Sequence, residues 1–442
     1  MNWAILLCCL GGTLFVGDKS NLLPVLVIMP IAVTLIKQIA VKADIFSPPV
    51  FFSSFFLLFM GVGYTICFNQ NYFGRHPVYS QIAFLILLAY FCWLIGFSLP
   101  RLKIFSPPVH SVTPPVKIDA AYRRTMYLSL AITIVGLSAL TIFYLGGAFR
   151  ILISGMAEES RYMMTFGRGY LYYLGNSINI SIPIYIGSKL YYKKKLQFFD
   201  FGIIVFSLLF ISLSLSRSNM LWYLVSFIII YHYLIKKIPY FRAFYCAGIL
   251  FIIAVSILYL RFPGAKIKVL FLNELSVHIK NIGLYLLNSK KLGYLGLFPL
   301  KTNLSMLLPG HQPDFGLWLK SELGLTFPGG GISIPLVGEG ILSWGIAGVI
   351  VEALLLGYIL KISYQQFQRR LSLRHLFIYI IILCKCTNAI SYGISVGVIT
   401  GVYQLMLVLL IIPGNLYMER EPCSVKRELG VCDIRFPRKD TS

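Results

Sequence analysis

Apolar runs of roughly span length, separated by short polar breaks, make up most of the chain. A helix that crosses the hydrocarbon core of a bilayer takes about 20 predominantly apolar residues. The pattern therefore predicts an all-α polytopic integral membrane protein with about twelve transmembrane helices in one transmembrane domain, residues 1–418. The predicted spans are 2–17, 21–41, 45–68, 79–99, 125–145, 172–192, 198–215, 219–235, 241–260, 335–361, 375–393 and 396–418.

One long polar segment, residues 261–334, interrupts this series between the ninth and tenth spans. Within it, five apolar residues recur at intervals of three and four: Leu272, Leu275, Ile279, Ile282 and Leu286. This spacing predicts an amphipathic helix that lies on the membrane or on other helices. The Gly329-Gly330-Gly331 run that follows indicates either a plain linker or a hinge.

Composition and charge narrow the class of protein. The chain is 57% apolar and only 12% charged, with a formal net charge of +23. Soluble proteins carry about 25% charged residues. The charges here punctuate long apolar runs instead of forming a polar surface, which excludes a soluble enzyme, a disordered chain and a nucleic-acid-binding module.

The distribution of positive charge predicts the orientation. With both termini in the cytoplasm, 24 of the 39 Lys and Arg residues lie on the inner side, including those of a basic tail at 419–442. Of the 14 outside, eight lie in the long segment 261–334. Short inner loops rich in Lys and Arg are typical of membrane proteins, and long loops are exempt from this rule. The long segment is therefore predicted to be an outer loop.

The candidate chemistry does not involve a metal or a cofactor. Nine cysteines form no CxxC pair, six histidines form no HExxH motif, and no phosphate-binding glycine loop is present. Arginines on the predicted outer side remain. Arg217 lies between two apolar runs, where it either reaches a lipid phosphate or binds a substrate phosphate. Four more arginines face that side, and guanidinium groups match phosphate oxygens: Arg150, Arg161, Arg168 and Arg261.

Acidic residues supply further candidates. Glu339 opens the predicted tenth span, where it could cap a helix, pair with an arginine or act as a base. Glu352 and Lys385 are predicted to lie at similar depth and to form a structural ion pair, with a proton relay as the alternative. The long segment offers acid/base or sugar contacts, which are His311, Asp314, Glu322 and the aromatic Trp318. A packing role for Trp318 is the alternative.

Three segments resemble the Wzy-type oligosaccharide repeat-unit (O-antigen) polymerases of the bacterial envelope. They are Ser216-Arg217-Ser218 between two spans, the outer segment with Arg150, Arg161 and Gly167–Leu171, and Gly330–Pro335 followed by Gly338-Glu339 and Trp344–Gly348. The overall plan, with a long outer loop late in the chain, agrees as well. The chain departs from some members at Ser391-Tyr392-Gly393, where those members have an arginine.

The resemblance implies a GT-C-like fold and a metal-independent glycosyltransferase, without cofactors, in the bacterial inner (cytoplasmic) membrane. Such an enzyme would transfer the growing glycan from undecaprenyl pyrophosphate to the non-reducing end of a new undecaprenyl-pyrophosphate-linked unit on the periplasmic face. Arg217 would contact the pyrophosphate with Arg150, Arg161 or Arg168, while Glu339 or an acid of the long segment would act on the acceptor hydroxyl. A chain-length regulator and a flippase are the partners that the family implies. An O-antigen ligase and a transporter of lipid-linked oligosaccharide stay open as alternatives.

Overall fold

The computed structural model describes the chain over most of its length and is all-α in that part, with no strand. The described residues are 3–16, 20–41, 43–74, 77–100, 115–148, 169–192, 194–213, 217–261, 266–305, 315–326, 331–370 and 372–413. The predicted basic tail at 419–442 lies outside them.

The described residues form eighteen α-helices and two short π-helical turns. The first ten are α1 (Trp3–Phe15), α2 (Leu22–Ala40), α3 (Pro48–Phe56), α4 (Gly63–Asn69), α5 (Val78–Ser98), α6 (Pro115–Phe143), α7 (Gly169–Gly175), α8 (Ile178–Tyr191), α9 (Phe198–Leu213) and α10 (Arg217–Leu234). The other eight are α11 (Tyr240–Arg261), α12 (Ile267–Leu292), α13 (Phe298–Ser305), α14 (Phe315–Glu322), α15 (Leu336–Trp344), α16 (Ile346–Arg370), α17 (Leu373–Tyr392) and α18 (Ile394–Ile411). The π-turns are Leu57–Val62 and Tyr144–Ala148.

The helices confirm the all-α, multi-pass membrane character of the chain. Eight of those described are long and apolar enough to cross a bilayer by length and composition. Three more apolar helices are shorter, namely Ile5–Phe15, Phe198–Leu213 and Ser218–Leu234. The predicted span at 172–192 is divided between α7 and α8 at Asn176 and Ser177. The count of twelve spans therefore stays a prediction.

The predicted span 335–361 requires a correction, because it consists of parts of two helices. Helix α15 ends at Trp344, Gly345 takes a positive φ of 65°, and α16 starts at Ile346. A left-handed residue breaks the helical path, and glycine adopts that conformation without a Cβ clash. The two helices pack closely, since a Cβ on Gly348 would overlap the Gly340 carbonyl oxygen. Glu339 thus belongs to a separate short helix that packs on the span.

Small residues bring the main pair of core helices, α5 and α16, into direct backbone contact. A Cβ on Gly96 would overlap the Leu354 carbonyl oxygen, and one on Gly357 would overlap that of Trp93. Glycine at such crossings lets membrane helices approach closely. Around this contact, Trp93 stacks on Phe52 of α3 with ring centroids 4.2 Å apart. In helix α11, by contrast, only 6% of the apolar stretch Tyr240–Ile257 is buried, so this helix lies at the edge of the bundle.

The amphipathic helix predicted in the long segment is confirmed as α12, and it lies on other helices. Leu275, Ile279 and Ile282 of the predicted stripe are buried. A Cβ on Gly63 of α4 would overlap the Leu275 carbonyl oxygen, so the two helices touch through their backbones. Long-segment residues also form a small core of their own that includes Leu342 of α15. The described parts of the long segment, 266–305, 315–326 and 331–334, are therefore packed onto the spans.

Candidate functional site

The start of α10 is where the structure places Arg217, as the first residue of the helix. Two residues later, the amide Nδ2 of Asn219 donates to the Tyr172 hydroxyl at 2.9 Å and to Asn176 Oδ1 at 3.2 Å. These bonds tie the first turn of α10 to α7 and to the turn that follows it. The start of a helix also presents free N–H groups, which attract anions.

Helix α7 begins at Gly169, directly after Arg168 in the sequence. The bonds from Asn219 therefore connect the helix that directly follows the arginine-bearing segment to the start of the Arg217 helix. Arg150, Arg161 and Arg168 themselves lie outside the described residues. Arg261 is the last residue of α11.

The other side of the same turn is held by Asn388 of α17. Its Oδ1 accepts a hydrogen bond from the Ser218 hydroxyl at 3.0 Å and another from the indole Nε1 of Trp222 at 3.1 Å. The first turn of α10 is thus fixed from two sides by side-chain amides. We call this end of the bundle, where α10 begins and α17 ends, the Arg217 end.

An aromatic row continues from Trp222 across four structural elements. Its members, in order, are Trp222, Phe55, Phe59, His278 and Tyr392, with successive ring centroids 5.7, 6.2, 5.4 and 6.1 Å apart. Only His278 is buried; the other four are partly exposed although they lie between helices. Partly exposed rings suit the apolar face of a sugar or an isoprenoid chain.

Two features of the row recur at functional sites in other proteins. Phe59 lies in the π-turn Leu57–Val62, and π-turns inside α-helices are frequent where a helix lines a site. His278 belongs to α12, so the long segment contributes directly to the row. The row therefore joins the spans and the long segment at a single place.

Glu339 has a structural contact that the sequence left open. Its two carboxylate oxygens accept from the backbone N–H of Ser395, at 3.0 and 3.2 Å, at the start of α18. The side chain is only 4% exposed. Burial raises the pKa of the Glu339 carboxyl, against the opposing effect of its hydrogen bonds from Ser395 and Ile394. Of the three predicted roles, helix capping is the one with observed contacts.

The Ser395 contact continues into the long segment. The Asn303 amide donates to the Ser395 hydroxyl at 2.8 Å, and Asn303 Oδ1 accepts from the backbone N–H of Phe315 at 3.1 Å. In addition, the buried Asn281 of α12 donates to the Ser333 carbonyl oxygen at 2.7 Å. Buried amides thus hold the long segment in a fixed position over α15 and α18.

The predicted Glu352–Lys385 pair needs a correction, since the two residues form no ion pair in the structure. Glu352 of α16 is buried, and its neighbours are Ser343 and Glu339 of α15. Lys385 of α17 lies along α18, where a Cβ on Gly401 would be 3.4 Å from its Cγ. A predicted position at similar depth does not by itself bring two side chains together. Here the two side chains face different neighbouring helices.

The candidates in the long segment have different surroundings. Trp318 stacks on Phe315 with centroids 5.5 Å apart, inside a packed aromatic group, which is the packing role. Glu322 is exposed at the end of α14, and its backbone carbonyl accepts from the Lys291 ammonium at 2.5 Å. His311 and Asp314 lie outside the described residues.

Sequence reasoning missed the uncharged residues of the site. Asn388 lies in an apolar span four positions before Tyr392, and a lone amide there was the available signal. Asn219 directly follows the Ser-Arg-Ser motif. Within the described ranges, no group of three or more His, Cys, Asp or Glu residues could hold a metal ion.

Comparison with known proteins gives no relative from which a function could be transferred. No protein-family model, no curated protein and no solved structure matches this chain. What the protein does has to be inferred from the chemistry of its own residues.

Proposed function

We propose that this protein polymerises lipid-linked oligosaccharide repeat units. It transfers the growing glycan from undecaprenyl pyrophosphate to the non-reducing end of a new undecaprenyl-pyrophosphate-linked unit. One observation carries the proposal: the bonds from Asn219 to Tyr172 and Asn176 tie the start of the Arg217 helix to the helix that directly follows the segment with Arg150, Arg161 and Arg168. The resemblance of those same segments to the Wzy-type polymerases supports it.

The proposed reaction breaks the bond between the glycan and the pyrophosphate, so negative charge develops on the leaving undecaprenyl pyrophosphate. The guanidinium group of Arg217 and the N-terminus of α10 stabilise that charge, which requires no metal. Arg150, Arg161 or Arg168 shares this task. The aromatic row binds the sugars beside the phosphate. In this row, His278 is the side chain whose ring nitrogen can accept a proton from the acceptor hydroxyl.

This assignment changes the role proposed for Glu339. Its carboxylate is occupied by the start of α18, so we place it in support of the site and not in proton transfer. The GT-C-like fold, the inner-membrane location, the periplasmic position of the Arg217 end and the two cytoplasmic termini all belong to the proposal. A chain-length regulator and a flippase are its expected partners.

A deletion strain tests the proposal against the ligase alternative. Loss of a polymerase is expected to leave single repeat units attached to the acceptor, because attachment continues without elongation. Loss of a ligase would leave no glycan attached. The glycan profile of the deletion strain, with the wild-type gene restored as control, separates the two. A complete absence of attached units would contradict the polymerase.

A second candidate, a transporter of lipid-linked oligosaccharide, is favoured by one observation. Glu352 and Lys385 both lie within helices that can span the membrane, and neither is in an ion pair among the residues described. Charged residues inside a membrane often mark the path of a substrate or a proton. We rank this function second because the amide contacts and aromatic rings gather at one end of the bundle.

A further inference from the structure

We propose that Asn388 donates a hydrogen bond from its amide Nδ2 to the phosphate of the lipid-linked substrate. This inference rests on the proposed function and adds a substrate contact on α17, a helix to which the arginine segments do not belong. The proposal follows from the direction in which two neighbours fix the side-chain amide.

The orientation of the Asn388 amide is determined by its partners. An indole N–H can only donate, so the amide atom that faces Trp222 Nε1 at 3.1 Å must be the oxygen. Ser218 donates to the same oxygen at 3.0 Å. With Oδ1 held by both donors, the NH₂ group has to point away from them.

That NH₂ group has no hydrogen-bond partner in the part of the chain that the structure describes. The amide nitrogen is accessible, because Asn388 is partly exposed and Nδ2 is not buried. The two amide atoms share one carbon, so Nδ2 stays close to Ser218 although it points away from it. Two donor protons are therefore available near the start of α10.

A phosphate group suits these neighbours better than a cation does. The start of α10 carries partial positive charge, and Arg217 is its first residue. A neutral amide donor adds a directed hydrogen bond to the phosphate without placing another charge in the membrane. The same chemistry fits two sources: the pyrophosphate of a lipid-linked glycan and the headgroup of a phospholipid.

The test uses full-length protein in nanodiscs of phosphatidylethanolamine, with geranylgeranyl pyrophosphate as the probe and geranylgeraniol as its uncharged control. Asn388→Asp keeps the oxygen that Ser218 and Trp222 bind but replaces the donor with an anionic oxygen. We expect its affinity for the pyrophosphate to fall about tenfold or more, because hydrogen bonds to charged groups are among the strongest. Its affinity for geranylgeraniol and its melting temperature should stay close to those of the wild type.

Ser218→Ala is the matched control, since it removes one of the two bonds to Asn388 Oδ1 and leaves the amide. We expect it to bind the pyrophosphate within about threefold of the wild type. Wild-type affinity in Asn388→Asp, or an equal loss in Asn388→Asp and Ser218→Ala, would overturn the inference and leave the proposed function intact. Failure of the wild type to bind the probe would overturn both. Dilution of the nanodisc lipid with phosphate-free diacylglycerol distinguishes the sources, because at a headgroup site the affinity for the probe would rise as headgroup phosphates become fewer.

Discussion

Replacing Arg217 with alanine is expected to reduce glycan elongation by about 10²–10³-fold, while the protein still inserts and folds. The reason is its position as the first residue of α10, in a turn that Asn219 and Asn388 hold from both sides. A positive charge carried on a well-held turn stabilises a leaving pyrophosphate. The measurement is the chain-length distribution of the glycan in a deletion strain that carries the variant.

Two controls separate this effect from a loss of charge or of protein. Arg217→Lys retains the charge but not the forked donor group, and we expect it to restore elongation only in part. Arg242→Ala removes an exposed arginine near the start of the next helix, α11. This position is at the end of α10 opposite to the Arg217 end. That variant should make glycans of normal length. Normal chain length in Arg217→Ala, at equal protein levels, would remove Arg217 from the site.

Replacing Glu339 with alanine is expected to destabilise the folded protein by about 1–3 kcal/mol, the usual effect of leaving a buried donor without a partner. The Ser395 N–H at the start of α18 would lose its acceptor, and the network that reaches Asn303 would lose its anchor. The measurement is the apparent melting temperature of the purified variant in detergent, which should fall by several degrees.

Glu339→Gln distinguishes capping from proton transfer. Its amide oxygen still accepts from Ser395, and a neutral side chain suits a buried carboxyl whose pKa is raised. We therefore expect Glu339→Gln to retain most of the stability and elongation within a few-fold of the wild type. A stable Glu339→Gln protein that elongates about 10²-fold more slowly would return Glu339 to the role of base.

The periodic part of the fold could be predicted from the sequence, and the break in the tenth span could not. The stripe through Leu275, Ile279 and Ile282 predicted α12 because helical spacing encodes which face is buried. The run 335–361 is predominantly apolar on both sides of Gly345, so hydropathy does not mark the break. Only the conformation of Gly345 separates α15 from α16 there.

The sequence indicates candidate charges for the site but not the amides around them. Arg217 stands out in an apolar stretch because charge is rare in a membrane. Asn388 is recognised as part of the site only through its hydrogen bond from Ser218, which is 170 positions away in the chain. Periodicity predicts the face of one helix but not the distant helix that meets it. The Glu352–Lys385 pairing was wrong for the same reason, because the sequence does not indicate which neighbouring helix each side chain faces.

Reconstitution of the purified protein tests the polymerase assignment most directly. Proteoliposomes would contain this protein alone, with undecaprenyl-pyrophosphate-linked repeat units accessible on both faces of the bilayer. We expect lipid-linked glycans of two or more units to form, with one undecaprenyl pyrophosphate released for each unit added, and Arg217→Ala should form almost none. Movement of intact single units across the bilayer, with no longer glycan and no release of undecaprenyl pyrophosphate, would contradict the polymerase and support the transporter.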